Sequence, residues 1–238
     1  MRSLSNLNTI WLTGLLISMA SEAWAGPGGI IKAAVSTPLG RIVLGIITIL
    51  LSPFILSYLI KRALQIRKTR KDLALLTTIY PQYRWLDVKD RTTATLKWVW
   101  SAWGQQKMSK AADYTTEWYM ANQQLDLDDW ASLGQENVCK LHTIKSISPL
   151  FVQHIHENNG EGSRVVLTVN LRVTDYLKDI ESGKVIQGDK KIGDLETVWT
   201  LVWKEKQWRL NLIESSGMEW SYLVMPNELP AELIPATR

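Results

Sequence analysis

The chain has 238 residues, enough for one domain with a sizeable core once its apolar leading segments are set aside. Its single cysteine, Cys139, excludes an intramolecular disulfide and any paired-cysteine metal site, and with only Lys140 and His142 as basic neighbours it is expected to be a buried structural thiol. The net charge of +4 is unevenly placed: residues 61–71 hold six basic groups and no acid, whereas residues 72–238 hold 18 basic and 22 acidic groups, so no nucleic-acid partner is expected of the mildly acidic globular part.

The chain opens with Arg2, an apolar run from Ile10 to Ala20, and Ala23-Trp24-Ala25 before Gly26. That is the small-x-small pattern of a secretory signal peptide over residues 1–25, either cleaved or kept as an anchor. Residues 26–41 form a short external segment beginning "GPGG". Residues 42–60, "IVLGIITILLSPFILSYLI", are nineteen without a charge, about 28 Å of helix, which matches the hydrocarbon thickness of a bilayer. Pro53 is tolerable in such a helix. Arg41 precedes the run, and Lys61, Arg62, Arg67, Lys68, Arg70 and Lys71 follow it. The excess on the C-terminal side places the large domain in the cytoplasm, whether the leader is cleaved or pairs with the span as a helical hairpin. Residues 61–84 then read as a basic juxtamembrane helix whose six cations suit anionic lipid headgroups, or serve only as the topology signal.

Residues 90–145 read as three helices. In the first, Leu96, Val99, Trp100 and Trp103 make a stripe at helical spacing; Ser109 is an N-cap candidate for the second. "LDLDDWASLGQENVCKLHTI" gives the third, with Asp126, Asp128 and Asp129 explained by a helix start rather than by a metal. From Ser146 the period becomes two. Val165, Leu167, Val169, Leu171 and Val173 face one way while Arg164, Thr168, Asn170 and Arg172 face the other, a half-buried antiparallel strand. "NNGEG" and "ESGK" supply turns, and "ETVWTLVWKEKQWRLNLI" a last hairpin. Helices followed by a meander of strands give an α+β fold, N-terminal helices packed on a curved antiparallel sheet. His154 and His156 share a strand face, but a third ligand is lacking, so no metal is expected. No Gly-rich phosphate loop, H-E-x-x-H or G-x-S-x-G occurs, so no catalytic residue and no cofactor is assigned.

Asp175-Tyr176, "SGKVIQGDKK" and "LETVWTLVWKEKQWRLNLI", with the upstream "VWSAW", resemble the signature of the Tim forty-four-like domain family over residues 85–216. These are relatives of the mitochondrial inner-membrane protein that tethers the import motor. Leu201 stands where the family has an aromatic residue, and Trp203 where it has a basic one. The resemblance implies a nuclear-transport-factor-two-like cone around an apolar pocket, with Trp100, Trp103, Tyr176, Trp199, Leu201, Trp203, Trp208 and Leu210 as its pocket or core signature. It also implies a non-enzymatic adaptor in the bacterial inner membrane, acting in protein translocation or membrane-protein assembly beside an unidentified membrane or translocation protein. Residues 217–238 are then a C-terminal extension. Two alternatives stand beside it: a cone-fold isomerase or hydratase using Asp113, Tyr114 or Tyr119, and a type IV secretion inner-membrane component. Oligomeric state is left open.

Overall fold

The structure, a computed structural model, describes residues 37–233, in two units that divide after Tyr58. The signal peptide, most of the external segment and the last five residues lie outside the described residues. The first helix, α1, runs Pro38–Thr77 without a break. Thr37 caps it, its Oγ1 accepting from Gly40 N at 3.1 Å, and Pro38 takes the first helical position, where no amide donor is missed. In the first unit the helix is exposed and apolar, and it is long and apolar enough to cross a membrane. Pro53 has no N–H for the carbonyl of Ile49; the Ser52 hydroxyl donates to that carbonyl instead, at 2.8 Å.

The second unit holds the rest. Pro81–Tyr83 forms one 3-10 turn, and α2 spans Trp85–Gly104 with Val88, Thr92, Thr95, Leu96, Val99 and Trp100 buried along one stripe. Met108–Tyr114 is a 3-10 segment, not the helix expected to begin at Ser109. The cap is Thr116, whose Oγ1 accepts from Tyr119 N at 3.2 Å and opens α3, Glu117–Ser132. Gly134, at φ +70°, ends that helix, and the chain turns directly into β1, Gln135–Gln153. The expected third helix is therefore replaced: "LDLDDW" closes α3, and "QENVCKLHTI" is strand. Pairing of residues 135–153 with β2, shifted in register at three places, outweighs local helix propensity there. Asp126, Asp128 and Asp129 consequently lie in the last turns of α3, and Gln123 and Gln124 donate to Asp126 and Asp128.

β1, β2 (Arg164–Asp179), β3 (Val185–Lys204) and β4 (Gln207–Ser215) form one antiparallel sheet in the order β1-β2-β3-β4. Gly188, at φ +82°, sits in the β2–β3 pairing where an added Cβ would lie 2.4 Å from the Asp175 carbonyl oxygen, so only glycine fits. The β3–β4 turn is Glu205-Lys206, at φ +53° and +59°, the geometry of a two-residue hairpin turn reached here without Gly or Asn.

The two sheet faces are both covered. Val165, Leu167, Val169, Leu171, Trp199 and Leu201 pack under α2 and α3. On the opposite face Val166, Thr168, Val198 and Thr200 are also buried, although Thr168 was expected to face outward. A short helix, α4 (Glu219–Val224), lies on their side: Leu223 is buried, and Tyr222 meets Phe151 at 6.2 Å between ring centroids. The fold is α+β.

Candidate functional site

Within the second unit the basic strip is part of the domain rather than a linker. Gln65, Thr69, Leu73 and Leu76 recur every three or four residues and are buried, a stripe that α1 turns toward the sheet. Its polar upper half is read by one irregularity of β1. Leu150 is the extra residue of the bulge between Pro149 and Phe151, and a bulge leaves a carbonyl outside the ladder. Gln65 Nε2 and Thr69 Oγ1 both donate to that carbonyl, each at 2.9 Å. Asn227 locks the same place, its Nδ2 donating to Asp72 at 2.6 Å and its Oδ1 accepting from Val152 N at 3.1 Å.

One turn earlier, Arg62 joins three elements. Its Nε donates to Glu219 Oε1 at 2.7 Å, and its Nη2 to Thr168 Oγ1 at 3.2 Å and to Glu196 Oε1. Asn170 Nδ2 also donates to Glu196, at 3.1 Å. Glu219 is 1% exposed, so its charge is matched inside the protein, and a planar guanidinium meets two carboxylates better than an ammonium would. Of the six cations proposed for lipid, Arg62 is thus turned inward. Lys61, Arg67, Lys68, Arg70 and Lys71 are exposed; Lys61 Nζ lies 4.9 Å from the Trp220 ring centre, and the Arg70 guanidinium 5.8 Å from that of Trp85.

The aromatic signature residues divide between core and rim. Trp199, Leu201, Trp208 and Leu210 are buried, as is Trp100; Trp103, Tyr176 and Trp203 are half-buried. Trp203 and Trp208 face each other across the hairpin at 5.2 Å, and Trp208 meets Tyr83 at 5.5 Å while donating to the Gln82 carbonyl at 2.8 Å. Trp199 donates to Thr197 Oγ1 at 3.0 Å. Trp199 and Trp208 thus have partners for their N–H groups as well as their rings, as a buried indole requires, whereas the buried Trp100 Nε1 has none among the described residues.

His154 and His156 follow β1 instead of lying on it. The Tyr83 hydroxyl and His154 Nδ1 share a hydrogen bond of 2.8 Å, and His154 Nε2 is buried. Burial, then the neighbouring His156, pushes the His154 pKa down; burial raises the Tyr83 phenol to about 12. Burial, reinforced by the Asp175 charge, also raises the Cys139 thiol to about 12. Among the described residues no group of three His, Cys, Asp or Glu is placed to hold a metal. Asp113, Tyr114 and Tyr119 do not converge: Asp113 is exposed, Tyr114 stacks on Trp98 at 5.7 Å, and Tyr119 is buried in the core with its phenol raised by desolvation. Asp113 does line a polar cleft of about 250 Å³ with Thr116, Glu117, Lys204 and Arg209.

Gln65, Thr69 and Glu219 belong to no motif of the sequence, although Gln65, Thr69, Leu73 and Leu76 stand at the three-to-four spacing of one helix face. Nothing local marks Glu219 as the partner of a residue 157 positions away.

Comparison with protein-family models and with curated proteins finds no match. Among solved structures, the intermembrane space region of the chloroplast protein ARC6 is similar at 14% identity and a TM-score of 0.38, covering 54% of this chain and 95% of that one.

Proposed function

We propose that the protein is a non-enzymatic, membrane-anchored interaction module of the bacterial inner membrane, its domain a nuclear-transport-factor-two-like cone on the cytoplasmic side. In this proposal the module docks on anionic lipid through its outward cations and serves as an adaptor in protein translocation or membrane-protein assembly. One observation carries the lipid half: the strip that follows the apolar run is clamped to the sheet by Arg62, Gln65 and Thr69, so its remaining cations are held in fixed directions. Cations held at a bilayer surface are each worth ~1 kcal/mol toward anionic lipid, without the entropy loss of ordering a loose linker.

The test uses the full chain in lipid nanodiscs, with a spin label on Ala63→Cys in a Cys139→Ser background. The label is expected to move more slowly in phosphatidylglycerol-containing discs than in phosphatidylcholine discs. Replacing Arg67, Lys68, Arg70 and Lys71 by Gln should abolish the difference. Identical spectra in both lipids would sink the docking role. For the adaptor role, a photocrosslinker at the exposed Trp118 should capture a translocation or membrane-assembly protein in native membranes. Absence of any protein adduct there and at Trp98 would count against it.

A further inference from the structure

A cleft opens where the second half of α3 passes beside β1, β2 and β3. It has two chambers that share Trp130, Asn137 and Asp175. One, of about 160 Å³, is completed by Trp103 and Asp126, and the other, of about 140 Å³, by Leu177 and Gly188. Trp103 and Trp130 are half-buried, and the Trp130 ring has no aromatic or cationic partner among the described residues.

Asp175 owes its state to the register of the sheet. β2 and β3 slip after Val173, so Asp175 stands opposite Asp189 on one side and Cys139 on the other. Neither neighbour is a cation, and like charges directly across a ladder are destabilising. Neither carboxylate has an ion pair among the described residues: Lys178 is held by Glu136 at 2.9 Å, and Lys190 lies 5.9 Å from the centre of the Tyr176 ring. Asp126 accepts from the Gln123 amide at 3.2 Å and is not ion-paired either. Desolvation pushes the Asp175 pKa above the ordinary aspartate value, as it does for a carboxylate without a counter-ion.

The group that fits this lining is an organic cation. An indole face attracts an ammonium or guanidinium, more strongly where water is partly excluded, and a carboxylate in the same cleft accepts its N–H groups. A metal ion fits less well, since no group of three ligating side chains is brought together there. The excess of acids over bases across residues 72–238, 22 against 18, also favours a basic partner.

We propose that the cleft is a receptor for a basic segment of a partner protein: a lysine or arginine side chain lies along Trp130 and ends on Asp175, with Asp126 as a second acceptor. The proposal rests on the adaptor reading above only in making the occupant a protein. Peptide binding tests the cleft and crosslinking at Trp118 tests the adaptor, so the two can fail separately.

The test uses the full chain in dodecyl maltoside, labelled with fluorotryptophan and followed by fluorine NMR. The Trp130 signal is assigned by its loss in Trp130→Phe. The probes are capped peptides, identical except that two positions carry Lys and Arg, two Gln, or two Glu. The basic peptide is expected to shift the Trp130 signal saturably, and the other two to leave it in place. Asp175→Asn should weaken the basic peptide roughly tenfold, whereas Asp129→Asn, exposed on α3 and outside the cleft, should not. The remaining tryptophan signals of Asp175→Asn report that its fold is kept. An unmoved Trp130 signal, or equal shifts by the basic and Gln peptides, overturns the receptor. So does equal binding of the basic peptide by the native chain and Asp175→Asn. A shift with tetramethylammonium but not with the basic peptide makes the occupant a small quaternary amine and overturns the protein partner.

Discussion

The two faces of the sheet are held in different ways. On one, Leu167, Val169, Leu171, Trp199 and Leu201 meet α2 and α3 through apolar area alone, which is non-directional and tolerant of small shifts. On the other, beside the buried Val166 and Val198, Arg62 donates directed hydrogen bonds to Thr168, Glu196 and Glu219, and Asn170 donates to Glu196. A charge cluster of this kind adds little net stability over an apolar one, but it permits a single seating of α1 on β1–β3. Stability thus belongs mainly to one face, and the seating of residues 62–76 of α1 on the sheet to the other.

Mutations should separate the two. Trp199→Ala opens a large cavity in the apolar face and is expected to cost about 3–5 kcal/mol, seen as a large fall in the denaturation midpoint of the full chain in detergent. Glu219→Ala leaves the Arg62 charge partly unmatched and should cost about 2–4 kcal/mol, the lower part of the range because Glu196 remains. Joint replacement of Arg62 and Glu219 by Leu should recover most of that loss while loosening a spin label at Ala63. Recovery of stability with unchanged label mobility would show that the charges do not set the seating.

A smaller effect is expected from pH. The pKa of His154 is depressed in the fold, so its contribution is complete above the unfolded histidine value near 6.5 and is lost as pH falls below it. The midpoint should drop between pH 7.5 and 5.5, and His154→Gln should flatten that slope; an equal slope in the variant would place the titration elsewhere. Smallest of all, Lys68→Gln on the exposed side of α1 should change stability by less than about 0.5 kcal/mol in the same assay.

Much of the apolar face was legible in the chain. The alternation Val165–Leu167–Val169–Leu171–Val173 shows which residues of β2 are inside, and the Trp199 and Trp208 pattern marks a hairpin in the core rather than a stacking platform. β1 was not legible over its first half. Residues 135–145 are half-buried or exposed throughout, so their period is weak, and only pairing with a strand distant in sequence, from Gln135 with Asp179 to Ile144 with Leu171, defines them. The polar seat escaped for a related reason: Arg62 in a basic run reads as surface, and Glu219 acquires its meaning only when the chain returns across the sheet.

Cys139 extends this picture from structure to time. With the thiol raised to about 12, only about one molecule in ten thousand holds the reactive thiolate at pH 8. Alkylation of the native chain should therefore be slow, and any acceleration will count openings of β1 away from α2, where the Cys139 Sγ lies 3.6 Å from the Trp100 carbonyl. The protein carries its own clock for the loosening of the sheet edge, readable without adding a probe to either face.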